Sequence, residues 1–105
     1  LLRKFPRDDA YARATLAQLS AGVFDPALFT ENAQYYFTPQ VQADYQASLS
    51  PLGTPQAVTA LRPPRLRGGF VNRVFQITYQ ERKQTLSTYA EPGEQGRWEQ
   101  FMVMP

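Results

Sequence analysis

The amino-acid sequence predicts an α+β domain in which N-terminal helices pack on one face of an antiparallel sheet of about four strands. Three observations lead there. Up to Gly53 the apolar residues recur at helical spacing, and beyond Gly53 the period falls to two. The stretch 92–96, PGEQG, is turn chemistry between two runs of strand character. Helices first and strands afterwards is the α+β order, whereas a parallel sheet would require the two to alternate.

The first helix is capped by Asp8 or Asp9, carries Ala12, Leu16, Leu19 and Val23 on one stripe, and ends at Gly22. The two aspartates also suit the positive end of the helix dipole, which accounts for the pair without a catalytic role. A short second helix starts at Asp25 with Pro26 in its first position, followed by Ala27, Leu28 and Phe29. The third runs from Thr38 as cap and Pro39 as first residue, with Val41, Tyr45, Leu49 and Leu52 on one stripe and Gly53 as the stop. Glu31 falls in a loop between these two helices. Part of 56–66 reads as the first strand. Residues 70–80 place Val71, Phe75, Ile77 and Tyr79 on one face, with Arg73 in the same row. Residues 85–91 and 97–104 are the remaining strands. Leu16, Leu19, Tyr45, Leu49, Phe75 and Ile77 are the expected core.

The segment RPPRLRGGFVNR at 62–73 is the most motif-like in the chain. Gly68-Gly69 suits a tight hairpin turn, because such turns need positive φ angles. Pro63-Pro64 cannot donate ladder hydrogen bonds and belongs at an edge or bulge. Residues 65–69, RLRGG, spell the conjugation tail of ubiquitin, but that chemistry needs a free terminal glycine and Gly69 runs straight into a strand.

At 105 residues the chain is one domain, 1–105, with 1–6 expected as a linker from a longer protein because the sequence opens LLRKFP without methionine. Absence of cysteine and histidine removes thiolate and Ser-His-Asp catalysis, disulfides and the usual zinc sites. No metal and no cofactor is expected. Net charge is +2, with four positive and five negative groups in 1–53 and seven and four in 54–105. That excess is too small for a dedicated nucleic-acid binder, so Arg62, Arg65, Arg67 and Arg73 are not expected to serve one. No apolar run approaches the ~18 residues of a membrane span.

Tyr35, Tyr36 and Phe37 form the densest aromatic run and are candidates for a pocket wall, where tyrosine hydroxyls orient a polar ligand. Asp44 on the third helix and Tyr79 on the central strand complete the candidate ligand-binding set. On the last strand Trp98, Met102 and Met104 are expected on one face, with Phe101 and Val103 on the other. Apolar groups on both faces point to an interaction surface built on Trp98, Met102 and Met104. No catalytic residue is assigned, since no carboxylate and donor pair stands out and Asp44, Glu31 and Glu99 each read as solvated.

The stretches FDPALFTENAQYYFTPQ at 24–40, LSPLGTP at 49–55, LRGG at 66–69 and RVFQITY at 73–79 resemble the nuclear transport factor 2-like, or cystatin-like, superfamily. More narrowly, they resemble a small bacterial domain found at the C-terminal end of secreted serine hydrolases and peptidases. The resemblance implies a bent sheet curling around helices into a cone. It also implies a non-catalytic accessory or interaction domain, pairing with a second copy or with a parent hydrolase domain. A small apolar ligand in the cone, or a vestigial isomerase-like site, is the alternative. An extracytoplasmic location follows from the same resemblance alone.

Overall fold

The computed structural model describes residues 9–105, so the segment 1–6 and Asp8 lie outside the described residues. The α+β order holds, with three α-helices followed by a five-stranded antiparallel sheet among the described residues.

Helix α1 spans Ala10–Ser20, and the Asp9 carboxylate accepts the Ala12 N–H at 2.8 Å. Its Ala12, Leu16 and Leu19 are buried. Val23 is 51% exposed, because the helix ends before reaching it. A 3₁₀ turn follows at Pro26–Leu28, capped by Asp25.

Glu31 does not lie in a loop. It opens helix α2, Glu31–Tyr36, whose cap is the Thr30 hydroxyl accepting the Ala33 N–H. Helix α3, Pro39–Leu49, begins at the Thr38 cap and tightens into a 3₁₀ turn, Ser50–Leu52. Of its stripe Leu49 is fully buried, whereas Tyr45 is half-buried and turns its hydroxyl to the Phe101 carbonyl at 2.7 Å. Leu49→Ala is expected to cost about 2–5 kcal/mol by the usual cavity penalty, measured by urea unfolding. A loss under about 0.5 kcal/mol would show that α3 contributes little to the core.

The strands are β1 Ala57–Ala60, β2 Arg65–Arg67, β3 Phe70–Thr78, β4 Lys83–Ala90 and β5 Trp98–Met104. The order is β1-β3-β4-β5, with β2 also paired to β3. The fifth strand arises because one edge is split. Ala60 opposes Phe75 and Arg65 opposes Asn72, leaving 61–64 bulged out around Pro63-Pro64, which cannot donate to the ladder. Gly68 and Gly69 have φ of 60° and 85° and close the tight β2–β3 hairpin.

The helices cover one sheet face, where Val58, Phe75, Ile77, Leu86 and Phe101 are buried. The last strand departs from strict alternation. Tyr89 opposes Gln100, but Ala90 opposes Trp98, so Glu99 is an extra residue in a β-bulge. The bulge moves Trp98 onto the face of Phe101 and Val103, away from Met102 and Met104. Trp98 is 2% exposed and belongs to this chain's own core. The grouping of Trp98 with Met102 and Met104 on one face is therefore corrected. No described helix is long and apolar enough to cross a membrane.

Candidate functional site

Strand β5 is a sheet edge, and its first residue is sealed by main chain. The Thr30 N–H donates to the Trp98 carbonyl at 2.9 Å, and Phe29 forms a parallel bridge with Trp98. This pins the start of α2 to the start of β5. Farther along, α2 and α3 stand off from the edge and leave a cleft of about 440 Å³.

Tyr36, Phe37 and Tyr45 wall the cleft from the helices, and Phe70, Tyr89 and Phe101 wall it from the sheet. Phe37 is the hub of the helical side. Its ring lies 5.2 Å from Tyr45, 5.0 Å from Phe29 and 5.2 Å edge-on from Tyr36. Phe70 is delivered by the hairpin, as the first residue after Gly69.

Polar groups sit among the rings. The Glu99 carboxylate accepts the Thr30 hydroxyl at 2.6 Å with one oxygen and the Asn32 amide at 2.7 Å with the other. The bulge at Glu99 turns this side chain toward α2. Arg67 and Gly68 also line the cleft from the hairpin tip. The Arg67 guanidinium has no hydrogen bond or ion pair among the described residues.

Of the candidate pocket residues, Tyr36 and Phe37 line the cleft, and Tyr35, Asp44 and Tyr79 do not. Tyr35 is 78% exposed. Asp44 lies on the surface of α3 and accepts the Gln40 amide at 2.9 Å. Tyr79 is buried in the core, and its hydroxyl has no partner among the described residues. Of the candidate interaction residues, Met102 lines the cleft and Met104 is half-buried on the same outer face. A second, smaller hollow of about 220 Å³ lies by the β4–β5 turn, with Arg73, Asp9 and Glu94 in its wall.

Reading the sequence did not bring out Tyr45, Phe70, Tyr89 and Arg67 as neighbours. Phe70 and Tyr89 belong to the rows that alternate with Phe75 and Leu86 along their strands. Only the register could have revealed this, since Asn72 opposes Tyr89.

Burial raises the Tyr45 hydroxyl well above its ordinary value of 10.0, and the neighbouring Tyr36 hydroxyl adds to the shift. Burial likewise raises Tyr79, and burial followed by the Glu91 charge raises Tyr11. Each folded-state value lies above the unfolded one, so the folded protein holds these protons longer. Their contribution is intact below the ordinary value and is lost as pH rises above it. Urea midpoints are therefore expected to fall from about pH 9.5 upward, with a shallower fall in Tyr45→Phe. A flat profile in the native chain would remove these hydroxyls from the stability account.

No family model, curated protein or solved structure matches this chain.

Proposed function

We propose that this chain is a non-catalytic binding domain that holds a small, largely apolar ligand in the cleft between α2, α3 and the β5 edge. The observation that carries this reading is the cleft itself, about 440 Å³ and walled by six aromatic rings. Its fixed polar groups are poorly disposed for acid-base chemistry. Both Glu99 oxygens already accept hydrogen bonds, and the Tyr45 proton is committed to the Phe101 carbonyl.

The reading extends to an accessory domain of an exported bacterial hydrolase with the cystatin-like cone, as the motifs at 24–40, 49–55 and 66–79 suggest by resemblance. Ligand contact is favoured over pairing of two copies because Trp98 is spent on the core and Met102 already lines the cleft.

Titration with neutral phenylbutanol, followed by amide chemical shifts, tests the proposal. Shifts should concentrate at 36–37, 70 and 99–102. Tyr89→Ala should weaken binding roughly two- to tenfold, the worth of one aromatic contact. Shifts spread over the surface, or none with phenylbutanol or with an acid or amine carrying the same tail, would refute it.

A further inference from the structure

We propose that the ligand of this cleft is an organic anion, an aryl or alkyl acid whose tail lies among the aromatic rings and whose carboxylate is held by Arg67. The inference rests on the ligand-binding reading above and adds the ligand's charge to it.

Register places the charge beside the rings. Arg67 opposes Phe70 across the hairpin and Arg65 opposes Asn72, so both arginines stand in the rows that carry Phe70 and Tyr89. Arg62 belongs to the same neighbourhood, since its guanidinium donates to the Asn72 side-chain oxygen. Three arginines thus gather on the side of the sheet where the cleft opens, and Arg67 is in the cleft wall.

The remaining charges point the same way. Glu99 is the one acidic residue lining the cleft among the described residues, and Thr30 and Asn32 each donate to it. Those donors occupy one site on each of its oxygens. Arg67 has no such partner among the described residues. A planar guanidinium with paired N–H donors fits a carboxylate bidentately, and apolar walls beside it exclude part of the competing water. A cationic headgroup would meet the arginines.

The test compares one tail with three headgroups, phenylbutyrate, phenylbutanol and phenylbutylammonium, titrated into the chain at neutral pH and low salt. Phenylbutyrate is expected to bind roughly three- to tenfold more tightly than phenylbutanol, a modest figure because Arg67 is exposed, and the ammonium most weakly. Arg67→Gln should abolish the acid-over-alcohol ratio, whereas Arg82→Gln, an equal charge loss at the β3–β4 turn, should preserve it. Amide spectra establish that both variants are folded. Equal binding of acid and alcohol, a preference for the ammonium, or an acid preference that survives Arg67→Gln would overturn the assignment while leaving a ligand-binding cleft. Failure of all three compounds to bind would overturn the ligand-binding reading, and this inference with it.

Discussion

Replacing Trp98 with alanine is expected to lower the unfolding free energy by about 3–5 kcal/mol, a large share of the roughly 5–15 kcal/mol that holds a domain of this size together. The indole is 2% exposed and stacks on Tyr11 at 4.6 Å with 11° between the ring planes. It meets Phe101 edge-on at 5.1 Å. Its N–H donates to the Thr15 hydroxyl at 2.9 Å, and Thr15 is itself 1% exposed. Alanine would remove both ring contacts and leave a cavity that α1 and β5 are too well anchored to close. Trp98→Phe keeps most of the ring volume but loses the hydrogen bond, so about 1–2 kcal/mol is expected for it. Because Trp98 is the single tryptophan, unfolding of these variants is followed by far-ultraviolet circular dichroism. A loss near zero for alanine would contradict the burial. The same burial changes what a charged substitution means. Trp98→Glu would unfold the domain, so tests for pairing of two copies belong at Met102 and Met104 on the outer face.

Local signals that state their own chemistry were readable without coordinates. Asp9, Asp25-Pro26 and Thr38-Pro39 mark three starts because a capping side chain and a preset proline φ act within one turn. Gly68-Gly69 marks a hairpin for an equally local reason. Helix α2 escaped because six residues make less than two turns, too few for a period to emerge, although Thr30 is an ordinary cap. Pro63-Pro64 announced a disturbed edge, but not that it would divide one strand into β1 and β2.

The cleft was harder to read because it depends on register. Tyr35 and Tyr36 are adjacent in sequence, yet successive helical residues diverge by about 100°, so only Tyr36 faces the cleft while Tyr35 faces solvent. A strict period of two along 97–104 puts Trp98 beside Met102, and one extra residue at Glu99 reverses that. The arginine-rich corner turned out to be a hairpin whose tip also supplies a wall of the cleft. Its turn chemistry was visible at once, whereas the placement of Arg67 opposite Phe70 required the pairing of β2 with β3.

Gly96→Ala is expected to destabilise the domain by about 1–3 kcal/mol, toward the upper end because the obstruction is backbone rather than a movable side chain. A Cβ at Gly96 would collide with the Glu91 carbonyl oxygen and stand 2.6 Å from its carbonyl carbon. The two residues flank the β4–β5 turn, where the Glu91 N–H donates to the Arg97 carbonyl at 3.0 Å and the Glu91 carboxylate pairs with the Arg97 guanidinium at 2.8 Å. That ion pair is solvent-exposed and cannot offset a steric clash. Relief would require the chain at 96 to move outward, and the consequence reaches the core through one bond. The Tyr11 hydroxyl donates to the Gly96 carbonyl at 3.0 Å, and Tyr11 is the ring on which Trp98 stacks. Displacement of Gly96 should therefore loosen the Tyr11–Trp98 stack as well as lower stability, shifting Trp98 emission in the folded state. Gly93→Ala supplies the comparison, since a Cβ there meets nothing within 4 Å and its cost is backbone strain at a φ of 111° rather than a collision. It should leave Trp98 emission at its native position. Native emission and native stability in Gly96→Ala would mean that the turn accommodates a side chain and that Tyr11 does not hold the indole in place.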